Sequence, residues 1–473
     1  MEYKPTIGLE IHAELATKSK MFCGCKNDPD EKKPNVNICP VCMAHPGTLP
    51  VINKEAVKSV LRVGLALGGT LADYTEWDRK NYFYPDIPKG YQISQYKFPL
   101  VSGGKLKGVE ITRVHLEEDT ARSQHGTSRT DLDIISRSVL DESLIDYNRA
   151  GVPLMELVTE PVITSAKQAG DFARELQLIL RYLGVAEANM EKGEMRVEAN
   201  VSVSKSPRTD LKDAPRSVLG TKTEVKNINS FRAVEKAIDY EIERQIAVLE
   251  SGEKVIQETR GWDDGKGVTF SQRKKESSHD YRYFPDPDLP KLWLSKIEAF
   301  KDLKETIPEL PQQKRERLTK LDLQSQDVEQ YLNDSNLANF LDVVVTELKT
   351  PALIKIASNF ITNDIAGQRK KNPDWPLSTP NHFVAVVRRY QAGELSSPQA
   401  KSSILSGAMA EVASTDTLPG LVANIIAANP KVIAEYKAGK EPALQFLVGQ
   451  GMKESKGSAN PEGLRKLIKE AVK

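Results

Sequence analysis

The chain has 473 residues, a length that predicts about three domains and enough apolar material for a sizeable core. Its 39% hydrophobic and 28% charged residues and its net charge of +1 exclude a disordered chain, a fibrous chain and a uniformly basic nucleic-acid coat. No apolar run could span a bilayer, the first residues lack signal-peptide order, and four cysteines are too few for a disulfide scaffold, so we expect a reduced cytoplasmic protein.

The elements of the first part of the chain mix strands with single helices. Alternating apolar and polar residues predict half-buried strands at 6–15, 195–203 and 221–228. Apolar residues at helical spacing follow Ser165 and Ser230, and each of these serines is a good N-cap. This irregular order of strands and helices favours an α+β fold over a doubly wound sheet.

The second part of the chain is more helical. A proline-rich stretch at 283–290 marks a plausible domain boundary, and strand signals fade after it. A second break is predicted around 370–376. Residues 431–473 hold nine Lys or Arg against five Glu, so this end of the chain is modestly basic.

The four cysteines form two close pairs, which lie in a polar segment and are separated by thirteen residues. Two such pairs can place four thiolates tetrahedrally around Zn²⁺, and the site would then be structural because all four positions are filled. Four unligated thiols are the alternative. His45 lies nearby but is surplus to the set, whose members are Cys23, Cys25, Cys39 and Cys42.

Several acidic residues indicate a site for a divalent cation. Glu10 and His12 share one face of a strand and are close enough to bind one ion. Glu156 stands alone in an apolar segment, and a buried carboxylate needs a cation or a partner. The alternatives are a solvated strand face for the first pair, an acidic turn for 117–119 and an ion pair with Arg149 for Glu156.

A second polar face is predicted on the two later strands. Its cations and carboxylates could hold Mg²⁺ together with the phosphates of a nucleotide, although a solvated sheet face explains them equally well. The residues of this face are Arg196, Glu198, Asn200, Glu224 and Lys226. Two further segments, 78–86 and 280–286, interleave aromatic residues with Arg or Lys, a combination that suits stacking on bases but also loop packing.

The sequence has no P-loop, no dinucleotide fingerprint, no G-x-S-x-G motif and no cysteine left over as a glutaminase nucleophile. The residues alone therefore indicate a metal-carboxylate site in an α+β protein, with nucleotide binding left open.

Nine motifs, in order along the chain, resemble the B subunit family of the glutamyl/aspartyl-tRNA amidotransferases. The motifs are 7–15 (IGLEIHAEL), 78–86 (DRKNYFYPD), 90–95 (GYQISQ), 115–119 (HLEED), 146–158 (DYNRAGVPLMELV), 224–231 (EVKNINSF), 280–288 (DYRYFPDPD), 446–450 (FLVGQ) and 456–461 (KGSANP).

The resemblance implies a catalytic cradle domain with a glutamine-synthetase-like fold at 1–292, a helical domain at 293–407 and a helical, tRNA-binding tail at 408–473. It implies a ligase reaction in which ATP phosphorylates the side-chain carboxylate of Glu on tRNA(Gln) or Asp on tRNA(Asn), and ammonia then displaces phosphate. It further implies a heterotrimer, in which an amidase A subunit delivers the ammonia and a small C subunit wraps the A–B junction.

The resemblance also assigns roles to residues. The catalytic and Mg²⁺-binding set is Glu10, His12, Glu118 and Glu156, with Glu117 as a further candidate ligand. The residues expected on the ATP and phosphoryl side are Arg196, Glu198, Asn200, Glu224 and Lys226. The family usually has Asp at position 198, so the longer Glu198 leaves a direct metal role there open. Zinc on the four cysteines would brace the cradle.

Two other classes of function remain open on the sequence. The chain could be an autonomous carboxylate-amine ligase that resembles glutamine synthetase, or a tRNA-binding module without chemistry of its own. The first would amidate a free amino acid, and the second would tolerate substitution of Glu10 or His12.

Overall fold

A computed structural model describes residues 3–125, 143–205, 219–274, 281–409, 418–455, 459 and 461–472. Asp280 of the DYRYFPDPD motif and most of the KGSANP motif lie outside these residues. The chain forms two compact units, Met1–Pro311 and Gln312–Lys473. Every described strand lies in the first unit, so the predicted α+β class is confirmed as a sheet-rich N-terminal region followed by a helical C-terminal region.

The strands of the first unit, in chain order, are β1 (Lys4–Glu14), β2 (Thr70–Leu71), β3 (Tyr74–Thr75), β4 (Asp78–Asn81), β5 (Tyr91–Ser94), β6 (Val101–Ser102), β7 (Lys105–Leu106), β8 (Val109–Glu118), β9 (Arg122–His125), β10 (Ser143–Asp146), β11 (Pro153–Thr159), β12 (Met195–Ser204), β13 (Thr223–Ile228), β14 (Glu258–Asp263), β15 (Val268–Lys274), β16 (Phe284–Pro285) and β17 (Leu292–Trp293).

The helices, in chain order, are α1 (Lys54–Ala66), α2 (Ala166–Tyr182), α3 (Phe231–Glu250), α4 (Pro311–Thr319), α5 (Ser325–Asn333), α6 (Ser335–Leu348), α7 (Pro351–Asn359), α8 (Ala366–Lys371), α9 (Pro380–Gln391), α10 (Ser397–Ser406), α11 (Leu418–Ala428), α12 (Pro430–Lys437), α13 (Glu441–Glu454) and α14 (Pro461–Val472). A π-helical turn at Phe360–Ile365 joins α7 to α8.

One large sheet organises the first unit. Its strands run in the order β15-β14-β13-β12-β1-β11-β8-β6-β2, with β7 paired to β8. All neighbouring strands are antiparallel except β13 and β14. A separate three-stranded sheet has the order β16-β4-β5. The centre of the large sheet is therefore built from β12, β1, β11 and β8, which come from distant parts of the chain.

Strand β1 shows why one face of this sheet is polar. Its alternate residues Ile7, Leu9, Ile11 and Ala13 are almost fully buried and join the main apolar core. Helices α2 and α3 contribute apolar residues to the same core, so they cover this face of the sheet. The residues between the buried ones point to the opposite face because side chains alternate along a strand. The predicted strand at 6–15 is confirmed.

The two predicted N-caps are confirmed. The Ser165 side chain accepts a hydrogen bond from the Gln168 backbone N–H, and the Ser230 side chain accepts one from Ala233. The Gln168 side chain bonds back to the Thr164 N–H rather than to that of Ser165. Gly184, with φ +63°, follows the end of α2, as expected of a residue that tolerates the left-handed conformation.

The described secondary-structure elements of the second unit are all helices. The predicted break near 370–376 begins at the last residues of α8, which ends at Lys371, and closes before α9. Helices α11, α13 and α14 bury a separate apolar cluster that includes Ile425 and Leu447. No helix in the described part of the chain is both long and apolar enough to cross a membrane.

Candidate active site

The polar face of the large sheet brings together side chains from five strands, β1, β8, β11, β12 and β13. His12 on β1 lies opposite Glu156 on β11 and opposite Arg196 on β12. Glu10 lies opposite Glu198 on β12. Two predicted strands, β1 and β12, and the unpredicted strand β11 thus place side chains from different segments of the chain on one surface.

The first group of possible cation ligands contains Glu10, His12 and Glu156. The Nε2 atom of His12 lies 3.4 Å from Glu156 Oε2 and 3.8 Å from Glu10 Oε1. Burial lowers the pKa of His12, but the hydrogen bond and negative charge of Glu156 outweigh it, and the pKa rises to about 9. The predicted pairing of Glu10 and His12 with Glu156 is present in the geometry.

A second group shares Glu156 and adds His115 and Glu117 from β8. The Nε2 atom of His115 lies 3.2 Å from Glu156 Oε2 and 3.9 Å from Glu117 Oε2. Burial raises the pKa of Glu156, but His115 and His12 lower it more, so it falls well below its ordinary value. Sequence reasoning missed His115, although its i, i+2 spacing with Glu117 repeats the spacing of Glu10 and His12.

A third group contains Glu10, Glu198 and Glu224. The Lys226 ammonium lies 2.9 Å from Glu198 and 3.6 Å from Glu224. A β-bulge at Asn227, whose φ is +62°, shifts the register of β13 beside these residues. Because Glu10 belongs to both the first and the third group, the predicted polar face on β12 and β13 is continuous with the surface that carries the first two groups.

Asn200 lies on this surface next to Glu224 in the sheet register. Its Oδ1 atom is buried and has no hydrogen-bond partner among the described residues. A buried acceptor without a partner is costly, and a bound ligand that donates a hydrogen bond would relieve that cost.

Two residues expected in the site have other partners. Glu118 accepts hydrogen bonds from the Lys89 ammonium at 2.6 Å and from the Ile93 N–H at 2.9 Å, and it belongs to none of the three groups. The Arg196 guanidinium donates to Asp119 Oδ2 at 2.9 Å. Alternation along β8 explains why Glu118 lies outside the three groups, because Glu117 and Glu118 must point to opposite faces of the sheet.

The carboxylates of the site are crowded. Burial and the nearby charge of Glu156 raise the pKa of Glu10 to about 7. Burial and the charge of Asp119 raise the pKa of Glu14 to about 8. A divalent cation would offset this repulsion, and carboxylate oxygens with histidine nitrogens form a suitable ligand set.

The four cysteines lie together, and their sulfur atoms are all within 4.8 Å of one another. A hydrogen bond from Cys23 lowers the pKa of the Cys42 thiol to about 5, against the effect of burial. Since thiolates are the form that binds metals, the four residues could hold a metal ion such as zinc. The predicted convergence of the two cysteine pairs is thus present in the structure.

Buried Asn148 anchors the loop between the two cysteine pairs. Its side-chain oxygen accepts from the backbone N–H groups of Val36 and Asn37, both at 2.9 Å, and its side-chain amide donates to the Lys33 carbonyl. Asn148 lies just before β11, the strand that carries Glu156. Direct hydrogen bonds therefore join the cysteine segment to the segment that leads into β11.

A family described as "GatB/GatE catalytic domain" matches residues 5–299, and one described as "GatB domain" matches residues 339–472. A protein of Thermoanaerobacter sp. (strain X514), named as the B subunit of an aspartyl/glutamyl-tRNA(Asn/Gln) amidotransferase, is 40% identical over 498 residues. Proteins with the same name from Caldanaerobacter subterraneus subsp. tengcongensis and Moorella thermoacetica are each 41% identical. These three alignments cover 100% of this chain and 100% of each relative.

The first family match spans the large sheet and all three ligand groups, and the second spans most of the helical unit. Together with the full-length similarity, these matches show that the chain belongs to the B subunit family of the aspartyl/glutamyl-tRNA(Asn/Gln) amidotransferases.

Proposed function

We propose that this chain is the carboxylate-activating, tRNA-binding B subunit of a glutamine-dependent amidotransferase, a carbon–nitrogen ligase. In the proposed reaction, the γ-phosphoryl group of ATP is transferred to the side-chain carboxylate of Glu on tRNA(Gln) or Asp on tRNA(Asn), and ADP leaves. Ammonia then attacks the acyl phosphate and phosphate leaves, which gives Gln-tRNA(Gln) or Asn-tRNA(Asn). The observation that carries this proposal is the sheet face on which Glu10, His12 and Glu156 converge, in a chain whose relatives carry the amidotransferase name.

The ligands that we propose for Mg²⁺ are Glu10, His12, Glu117 and Glu156, with His115 beside them. Glu117 takes the place that was expected for Glu118, because both Glu118 oxygens already have donors. When bound, Mg²⁺ would neutralise phosphate oxygens and orient an in-line transfer. In this arrangement Glu118 borders the site and holds Lys89 in place.

We place the phosphates of ATP on the β12–β13 side of the same surface. Lys226 supplies a cation there, and Asn200 Oδ1 would accept a hydrogen bond from a donor group of the nucleotide. Glu198 and Glu224 position the Lys226 ammonium. Arg196 lies on β12 with Glu198 and Asn200, and its ion pair with Asp119 holds the guanidinium in one orientation.

The finer architecture is part of the proposal. We propose a glutamine-synthetase-like cradle at 1–292 braced by Zn²⁺ on the four cysteines, a helical domain at 293–407 and a tRNA-binding tail at 408–473. An amidase A subunit and a small C subunit would complete a cytoplasmic heterotrimer, with ammonia delivered by the A subunit. The basic balance of residues 431–473 within this tail suits phosphate contacts.

The test reconstitutes the chain with amidase and small subunits and follows the ATP-dependent conversion of Glu-tRNA(Gln) and Asp-tRNA(Asn). We expect amidation by the complex and its loss in His12→Ala, with glutamine hydrolysis retained. Exposed His45 provides a matched control, and His45→Ala should leave amidation unchanged.

Two outcomes would contradict the proposal. Amidation of a free amino acid by the isolated chain would favour an autonomous ligase. Unchanged amidation in His12→Ala would favour a tRNA-binding module without chemistry of its own.

A further inference from the structure

Five tyrosine rings form a continuous row beside the sheet that contains β4, β5 and β16. Successive ring centroids along the row are 5.9, 6.2, 6.1 and 4.5 Å apart. The rings belong, in order, to Tyr84, Tyr82, Tyr281, Tyr283 and Tyr96. The ends of the row, Tyr84 and Tyr96, are the exposed members, at 57% and 64%.

The Tyr96 end of the row has the geometry of a stacking platform. The rings of Tyr96 and Tyr283 are 15° from parallel, whereas every other contact in the row is tilted or edge-on. Tyr283 therefore supports one face of the Tyr96 ring, and most of the Tyr96 side chain remains exposed. The Tyr96 N–H also donates to Asp78 Oδ2, which fixes the backbone that carries the ring. A flat ring could extend this stack without rearrangement.

The platform lies close to the proposed ligand groups. Ser94, two residues before Tyr96, donates a hydrogen bond from its hydroxyl to Glu117 Oε2 at 3.0 Å. The neighbouring Ile93 N–H bonds Glu118. Lys80, whose ammonium lies 5.1 Å from the centre of the Tyr281 ring, also interacts electrostatically with Glu117 and Glu156. The Tyr96 backbone is thus within about 7 Å, the reach of two residues, of a residue whose side chain bonds Glu117.

Cations accompany the aromatic residues of this surface. The Lys97 ammonium, next to Tyr96 in the chain, lies 5.2 Å from the centre of the Phe98 ring, and Arg79 lies over Tyr91. Stacking rings with interspersed cations match the bases and phosphates of single-stranded nucleic acid. The Arg79 guanidinium is itself paired with Asp286 and Asp288, so the cation that this surface offers to a phosphate beside Tyr96 is Lys97.

The two substrates of the proposed reaction need separate places. The β12–β13 side of the site is assigned above to the phosphates of ATP, and β12 is three strands away from β8, or about 14 Å. Strand β5 adjoins the β8 side through Ser94 and Glu117. An amino acid esterified to a tRNA is only a few bonds from the terminal ribose, so the terminal base must lie near the carboxylates that act on the amino acid.

We propose that Tyr96, supported by Tyr283, is the platform on which the 3′-terminal base of the aminoacylated tRNA stacks. This inference rests on the proposed function and adds the subsite that positions the acceptor end. Tyr96 is then a positioning residue, because it holds the base and leaves the reacting carboxylate to the ligand groups.

The test uses the reconstituted heterotrimer and a tRNA(Gln) that carries 2-aminopurine as its 3′-terminal base, since stacking quenches the fluorescence of 2-aminopurine. We expect quenching on binding to the unmodified complex and loss of most of it in Tyr96→Ala. The same variant should raise KM for Glu-tRNA(Gln) about tenfold while kcat and KM for ATP stay unchanged. Tyr96→Trp should restore both readouts. Tyr84→Ala removes the other exposed end of the row and should change neither.

Each other outcome overturns the inference in a recognisable way. Full quenching in Tyr96→Ala would place the base elsewhere. A raised KM for ATP alone would assign the platform to the nucleotide, and loss of heterotrimer assembly would assign it to a protein partner. Failure of the proposed function appears differently, as the absence of amidation by the unmodified complex, whether or not the probe is quenched.

Discussion

His12 and Glu156 face each other across β1 and β11, with His12 Nε2 3.4 Å from Glu156 Oε2. This contact joins two segments that are far apart in the chain. Because His115 approaches the same carboxylate from the other side, Glu156 has the lowered pKa of a carboxylate between two imidazoles. Glu156 therefore remains ionised at neutral pH.

The shared position of Glu156 makes it the most sensitive of the carboxylates to substitution. We expect Glu156→Gln to lower ATP-dependent amidation by the heterotrimer by at least about 100-fold, because it removes a charge from two ligand groups at once. Glutamine hydrolysis measured in parallel should not change. Glu110→Gln, on β8 and outside the groups, is the matched control. Comparable amidation by Glu156→Gln and the control would refute the ligand assignment.

Neighbouring Glu117 and Glu118 should respond to substitution in different ways. Glu117→Gln is expected to raise the Mg²⁺ concentration for half-maximal amidation by about tenfold or more. Glu118→Gln leaves the Lys89 ammonium, whose side chain is 11% exposed, without its carboxylate. It should lower the free energy of unfolding by roughly 3 kcal/mol. Magnesium titration and chemical denaturation of both variants separate these effects, and the reverse pattern would restore Glu118 as the ligand.

The contrast between Glu117 and Glu118 shows which parts of the site can be predicted from the sequence and which cannot. Alternation in β1 is a local property, so the faces of Glu10 and His12 could be predicted. The segment 109–118 alternates less clearly, and its phase, which decides between Glu117 and Glu118, is set by pairing with β11. The partner of Arg196 also depends on long-range pairing. Arg196 lies on β12, whereas its partner Asp119 directly follows β8, three strands away in the sheet order.

The metal content of the protein tests the role of the cysteines. We expect about one zinc ion per chain by elemental analysis, and its loss in Cys42→Ser, because that substitution removes one of four convergent sulfur atoms. The midpoint of thermal unfolding should fall by roughly 5 °C. His45→Ala should retain the metal. Zinc-free protein with unchanged stability would show that the cysteines are unligated thiols.

The pH dependence of stability should report on Glu14. The folded protein retains a proton on Glu14 up to about pH 8, whereas the unfolded chain releases it near 4.5. Because the folded state binds the additional proton, the contribution of Glu14 lowers the free energy of unfolding as pH rises through this interval, by about 1.4 kcal/mol for each pKa unit.

Glu14→Gln removes this titration, so the variant should gain stability relative to the unmodified protein as pH rises from 4.5 to 8. Denaturant unfolding at several pH values measures the difference. Exposed Glu187→Gln is the control, and its curve should parallel that of the unmodified protein. A difference that does not change with pH would show that Glu14 is ionised in the folded state.

The helical cluster of α11, α13 and α14 gives a test of the proposed tail domain. Leu447 is fully buried in this cluster, and Leu447→Ala should lower its stability by roughly 3 kcal/mol. If the tail binds tRNA, the variant should raise KM for Glu-tRNA(Gln) and leave KM for ATP unchanged. Exposed Phe446→Ala, the preceding residue, is the control for stability.

The hydrogen bonds of Asn148 to the loop between the cysteine pairs have a consequence for the dynamics of the sheet. Since these bonds hold the loop against the segment that leads into β11, removal of a metal from the cysteines would loosen both ends of the connection. Amide protons of the backbone around Gly151 should then exchange with solvent faster in metal-depleted protein. A site that takes no part in chemistry would in this way control the rigidity of the strand that presents Glu156.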